Sequence, residues 1–173
     1  MKVLIVGDWS YNVYEQAFFD AFINNGVKAY SFKWNKYLRP FNINKKFQNK
    51  FIIGPAILSI NNDLIKYSNK LRPDLVFIYR GTHIYPKTIK KLRSMGCIVF
   101  AYNNDDPFST ISPIYLFRLF RRGLYYYDWI FAYRKKNIIE YNQSGLRNTS
   151  LLRSYYINSL NYPIENIKLS NKL

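Results

Sequence analysis

A single cysteine, Cys97, and a single histidine, His83, stand in a chain of 173 residues. One cysteine excludes an intramolecular disulfide framework, and with one histidine it excludes a zinc site built from Cys and His ligands. Acidic residues are scarce too: 10 Asp and Glu stand against 26 Lys and Arg, a formal net charge of +16. No run approaches the ~20 apolar residues that a membrane-spanning helix needs. The longest candidate, Phe51 to Ile60, is interrupted by Gly54 and Pro55. Met1 to Gly7 is too short an apolar run for a secretory signal and leads into Asp8. A cytoplasmic protein without a membrane span is therefore expected.

What the chain does have is apolar and aromatic bulk: 49% apolar residues, 17 Tyr and 13 Phe. That composition belongs to a globular chain, and its length suits one domain with a full core. Lys2 to Gly7 reads as a buried strand. Tyr14, Phe18, Ala21 and Phe22 recur at helical spacing up to Asn24-Asn25-Gly26, and Val27 to Phe32 reads as a second strand. The same helix–Gly–strand phrase recurs from Pro86 through Gly96 to Cys97–Tyr102, and from Lys135 through Gly145 to Ser150–Arg153. Between them, Pro55 opens a helix with a single apolar stripe (Ile57, Ile60, Leu64, Tyr67, Leu71) that exits at Arg72-Pro73-Asp74 into a strand over Leu75–Tyr79. Lys33 to Lys50 reads as a polar, basic connection. Ser112, as N-cap, and Pro113 predict a helix start, and Tyr127 to Tyr133 a further strand. The sum is an α/β fold: a Rossmann-like three-layer sandwich around a mostly parallel sheet of about six strands. The expected domain covers residues 1–160, with a tail or the start of an interdomain linker over 161–173.

In such sheets ligands bind beyond the carboxyl ends of the strands, so the strand-end loops matter most. They carry Gly7-Asp8-Trp9-Ser10, Arg80-Gly81-Thr82-His83, Asn103-Asn104-Asp105-Asp106 and Arg134. The first loop lacks GxGxxG, Trp9 would obstruct a pyrophosphate, and no Walker A sequence stands anywhere, so a self-sufficient dinucleotide or ATP enzyme is not expected. A phosphoacceptor domain would need paired acids after its first strand, whereas Asp105 and Asp106 come late. The polar stretch at 103–106 follows a buried strand, and Pro107 keeps Asp106 extended. Small polar groups there need hydrogen-bond partners, which points to one wall of a ligand crevice.

Each side chain admits a plainer role as well. His83 either satisfies loop backbone groups or acts as an acid, base or substrate hydrogen bonder. Asp105 and Asp106, adjacent but without further acids nearby, make a poor cation site and better acceptors of sugar hydroxyls. Arg80, Arg134 and Arg153 either pair with these acids or hold phosphate. Over Pro113–Tyr127, aromatics alternate with Arg118, Arg121 and Arg122. That mix suits a core helix whose arginines snorkel to solvent, and secondarily an interfacial membrane patch. The net charge calls for an anionic partner or a solvated surface, and no RNA-binding consensus is present.

Taken together, Gly7-Asp8-Trp9, Pro73-Asp74 with Phe77-Ile78-Tyr79-Arg80-Gly81-Thr82-His83, Tyr102-Asn103-Asn104-Asp105-Asp106-Pro107-Phe108-Ser109, Tyr133-Arg134 and Leu152-Arg153-Ser154-Tyr155 resemble the N-terminal half of the spore-maturation-protein (CgeB-type) group of glycosyltransferases. The resemblance runs from residue 1 to about 160. It implies a GT-B architecture, in which two Rossmann-like domains face each other across a cleft, and a role in making cell-surface polysaccharide. It also implies that this chain is the acceptor-side domain, without a metal or other cofactor. The nucleotide-sugar would be a co-substrate bound mainly by a second domain or chain. Asp8, Trp9, Arg80, Gly81, Thr82, Asn103, Asn104, Asp106, Arg134 and Arg153 would then bind substrate, with Trp9 stacked on a sugar. His83 or Asp105 would be the base. The partners implied are a sugar or glycan acceptor and a donor-binding domain, with peripheral contact to the inner face of an anionic membrane as a further possibility. Nucleic acid is not expected. The alternative is a non-catalytic basic module that binds anionic lipid, glycan polymer or nucleic acid.

Overall fold

The computed structural model describes residues 1–40, 42–153, 155–157 and 160–161. In chain order the elements are β1 (Lys2–Gly7), α1 (Glu15–Asn24), β2 (Lys28–Lys33), a 3-10 turn (Trp34–Leu38), α2 (Ile43–Phe51), α3 (Pro55–Leu71), β3 (Leu75–Tyr79), α4 (Pro86–Ser94), β4 (Ile98–Asn103), α5 (Arg118–Gly123), a 3-10 turn (Leu124–Tyr126), β5 (Trp129–Ala132), α6 (Lys135–Gln143) and β6 (Thr149–Leu151). The strands form one sheet in the order β2-β1-β3-β4-β5-β6, and every neighbouring pair is parallel. The expected Rossmann-like α/β sandwich is the fold.

The alternation of side chains along each strand divides the core in two. Leu4, Val6, Val76, Ile78, Val99, Ala101 and Ile130 point to the face covered by α3, α4, α5 and α6. Val3, Ile5, Leu75, Phe77, Tyr79 and Tyr102 point to the other, where Tyr14, Phe18, Phe19 and Phe22 of α1 and its approach cover them. The α3 stripe is buried as its spacing predicts, with Ile57, Ile60 and Leu64 fully enclosed; Tyr67, at its edge, is partly exposed. Gly26, Gly96 and Gly145 close α1, α4 and α6 as expected.

Three local readings differ from the structure. The connection over Lys33 to Lys50 is not irregular: Trp34 and Leu38 turn into the core, and α2 follows with Asn42 as its N-cap, its Oδ1 accepting from the Lys45 N–H at 2.9 Å. High polarity hid that helix. The predicted start at Ser112-Pro113 is a succession of turns instead, and α5 begins only at Arg118. Leu116 N–H donates to the Pro113 carbonyl at 2.9 Å, and Arg121 Nη2 donates to the Ile114 carbonyl at 2.9 Å, so that carbonyl is satisfied without a helix. The last two strands are shorter than read: Tyr127 and Asp128 precede β5, and Arg153 lies past β6, exposed. Beyond Asn161, the expected tail or linker lies outside the described residues.

Candidate functional site

β1 and β3 are neighbours, yet the chain leaves β1 for the α1 face and β3 for the α4 face. A crevice opens beyond the carboxyl ends of strands where connections diverge in this way. The backbone around it is left-handed at two residues that carry a Cβ, Trp9 (φ 61°) and Arg80 (φ 65°). Such conformations persist only where the surroundings over-determine them. At Arg80 the backbone N–H is tied to the Tyr102 carbonyl at 2.8 Å. Gly81 (φ 55°) follows, and a Cβ there would come within 2.8 Å of the Tyr127 hydroxyl, so the turn requires glycine for space as well as for conformation. At Gly7 a Cβ would run into the Glu15 side chain. That buried carboxylate accepts from the Asp8 N–H at 2.8 Å. Burial raises the Glu15 pKa, opposed by hydrogen bonds from the backbone of Glu15, Trp9 and Asp8. Glu15 thereby holds the first strand-end loop against the start of α1.

Two clefts lie at this edge. One, of about 330 Å³ on the α3 face, is lined by Asp8, Arg80, Thr82 and His83, with Trp34, Asn49 and Lys50 on one side and Pro113, Tyr115 and Leu116 on the other. The second, of about 380 Å³ on the α1 face, is lined by Tyr14, Tyr79, Tyr102, Asn104, Tyr133 and Tyr155, together with Val13, Ile157, Leu160 and Asn161. Arg80, on the first cleft, pairs with Asp105 at 2.7 Å, and Asn104 on the second cleft is its chain neighbour. Each partner of that pair keeps about a third of its side chain exposed (34% and 37%), so its attraction is screened by water.

The sole histidine is the most constrained residue at the edge. It is 4% exposed, and its ring stacks on Trp34 with centroids 4.0 Å apart. His83 Nε2 donates to Asn49 Oδ1 at 2.9 Å, and its Nδ1 accepts from Thr82 Oγ1 at 2.9 Å. Burial, reinforced by the Arg80 charge, lowers its pKa to about 3. A neutral imidazole with both nitrogens engaged is a structural bridge between α2 and the strand-end loop, and a poor proton acceptor. Its carbonyl is held by Asn61 of α3, a residue 1% exposed whose Nδ2 donates to the His83 oxygen at 2.9 Å. Asn61 Oδ1 accepts from the Tyr85 N–H at 2.7 Å and from Thr88 Oγ1 at 2.8 Å. This clamp was invisible in the sequence, where Asn61 sits in Asn61-Asn62 on an otherwise ordinary helix.

The polar stretch after β4 divides its duties. Asn103 is buried; its Oδ1 accepts from the Asp105 N–H at 3.1 Å, while its Nδ2 has no partner among the described residues. The Asn104 carbonyl accepts from Arg134 Nη1 at 2.7 Å, and its side-chain Oδ1 has no partner among the described residues. Asp106 is committed elsewhere: it accepts from Asn137 at 2.8 Å, from the Phe108 N–H at 3.0 Å and from Lys136 at 3.0 Å. Burial would raise its pKa, but the Lys136, Asn137 and Phe108 hydrogen bonds prevail and hold it below the usual carboxylate range. Asp106 thus ties the loop to α6, whereas the sequence reading places it on substrate.

Trp9 and Arg153 also depart from the crevice. Trp9 meets Phe19 edge-on with centroids 5.9 Å apart, Lys33 Nζ lies 4.8 Å over its ring, and it lines neither cleft. Arg153 is exposed and lines neither cleft. In its place the structure brings together tyrosines that the sequence reading uses only as strand ends. Tyr14 stacks over Tyr79 at 5.6 Å, and Tyr79 meets Tyr102 at 5.2 Å. Tyr155 donates to the Val13 carbonyl at 2.6 Å, and its hydroxyl faces that of Tyr79. Burial, together with the neighbouring Tyr155, raises the pKa of both Tyr79 and Tyr102, which stay protonated. The signal for this cleft was present: Tyr79, Tyr102 and Tyr133 end or follow three neighbouring strands. No protein-family model matches the chain, and no curated protein matches it.

Proposed function

We propose that this chain is the acceptor-side domain of a GT-B glycosyltransferase, working with a donor-binding domain or chain that supplies a nucleotide-sugar. The observation that carries the reading is the tyrosine cleft at the carboxyl ends of β3 and β4. Flat aromatic walls, protonated hydroxyls and the Asn104 amide oxygen, unpartnered among the described residues, sit together there. Sugars present CH faces that pack on aromatic rings and hydroxyls that pair with such donors and acceptors. Asp105 is the base in this reading, because its side chain remains partly open to solvent between Arg80 of one cleft and Asn104 of the other, and is oriented by Arg80. It accepts the proton of the acceptor hydroxyl as that oxygen attacks the anomeric carbon and the nucleotide leaves. Asp8 and Thr82 contribute from the neighbouring cleft.

Saturation-transfer NMR of the chain with simple glycosides tests the cleft: signals are expected, and Asn104→Ala or Tyr102→Ala should remove them. In the chain joined to its donor-binding domain, Asp105→Asn should slow transfer by about a hundredfold or more, the usual contribution of a positioned base. His83→Gln should leave the pH profile of transfer unchanged. Absence of glycoside binding, or full transfer by Asp105→Asn, refutes the respective part.

A further inference from the structure

α2 is a helix with no fully buried residue. Ile43 is 82% exposed and Phe47 54%, one turn apart on the same side. The turns before α5 present two more aliphatic side chains to water, Ile111 at 94% and Ile114 at 79%. The two segments meet: Phe47 contacts Phe51 at 4.5 Å, Phe51 contacts Tyr115 at 5.2 Å, and Arg118 Nη2 reaches the Phe51 carbonyl at 3.5 Å. Single exposed apolar residues are ordinary, but four in two adjoining segments form a patch that asks for a partner.

The two segments carry charge of one sign. Between Asp20 and Asp63, and again between Asp106 and Asp128, the chain holds no acidic residue. Lys46 and Lys50 flank the apolar side of α2, and Arg118, Arg121 and Arg122 follow the turns. This separates the patch from the rest of the Pro113–Tyr127 segment, whose Phe117, Leu119, Phe120, Leu124 and Tyr127 are buried in the core, as the helix reading required. Aliphatic tips on two segments whose own charged residues are all cations match the headgroup boundary of an anionic bilayer. An acidic protein partner would accept the cations, but nothing in that pairing requires four protruding aliphatic and aromatic tips.

We infer that α2 and the turns over residues 111–115 form a membrane-docking surface that inserts Ile43, Phe47, Ile111 and Ile114 among anionic lipids. The same segments supply Asn49, Lys50, Pro113 and Tyr115 to the cleft beside Arg80, so docking would hold that cleft at the lipid surface. The surface rests on exposure and charge, independent of what the crevice binds.

The test uses the full chain and vesicles of phosphatidylglycerol in phosphatidylcholine, with pure phosphatidylcholine vesicles as the neutral comparison. Co-sedimentation is expected with the anionic vesicles only. Ile111→Asp with Ile114→Asp, both at positions too exposed to unfold the protein, should lower partitioning by roughly tenfold or more, since burying one such side chain is itself worth about that factor. Adsorption through charge alone is separated by Ile114→Trp, whose emission is read as the difference from the wild-type chain. Insertion predicts that this added emission is blue-shifted and quenched by brominated lipid, neither of which charge adsorption at the headgroups produces. Unchanged emission of the introduced indole on bound vesicles, or unaltered binding by the double Asp variant, overturns the inference. So does binding to single-stranded RNA with no binding to vesicles.

Discussion

His83 makes the stability of the domain depend on pH. Its folded pKa is about 3, against an ordinary value near 6.5. Between those values the unfolded chain binds a proton that the folded chain refuses, so stability falls as pH falls. The contribution is complete above pH 6.5 and erodes at up to about 1.4 kcal/mol per pH unit below it. Going from pH 7.5 to pH 5 crosses roughly one and a half units of that window, a loss of about 2 kcal/mol. Glu15 acts in the opposite direction, because its raised pKa lets the folded state take up a proton first and so favours folding on acidification. Asp106, with a lowered pKa, stabilises above the ordinary carboxylate range and loses that contribution only at still lower pH. The difference between the wild type and His83→Gln isolates the histidine. Urea unfolding at pH 7.5, 6.5, 5.5 and 5 should show a sloping free energy for the wild type and a flatter one for the variant. Equal slopes would refute the buried, neutral state of His83, as would an imidazole NMR signal titrating near pH 6.

Asn61→Ala strands the His83 carbonyl and the Tyr85 N–H inside the protein. At about 1–3 kcal/mol for each unpaired group, urea unfolding should register a loss near 4 kcal/mol. Gly81→Ala places a Cβ at positive φ and against the Tyr127 hydroxyl. Its unfolding free energy should drop by roughly 2 kcal/mol, with thermal denaturation as the check. The Arg80–Asp105 pair is more important for orientation than for stability: a double-mutant cycle with Arg80→Met and Asp105→Asn should give a coupling below about 1 kcal/mol, as for other solvent-screened pairs.

The crevice illustrates how a site can be legible in outline and opaque in detail. Parallel strands put all their carboxyl ends on one edge, so reading six apolar runs was enough to gather Asp8, Arg80, His83 and Asn103 to Asp106 there. Which of them face a ligand depended on residues distant in sequence. Asn49 and Trp34, from a stretch read as a mere connection, enclose the His83 ring. Lys136 and Asn137 engage Asp106, while its neighbour Asp105 is left to Arg80. Lys33 and Phe19 occupy the Trp9 ring.

Helical stripes, glycine stops and continuous apolar runs act locally: a residue's neighbours within a few positions determine whether a face can be buried, and these features therefore specified the α/β order and the parallel sheet from the sequence alone. Hydrogen bonds and ring contacts of polar side chains are long-range choices among many partners of similar strength. Only the packed tertiary structure selected among them, making one carboxylate of the Asp105-Asp106 pair a brace to α6 and pairing the other with Arg80.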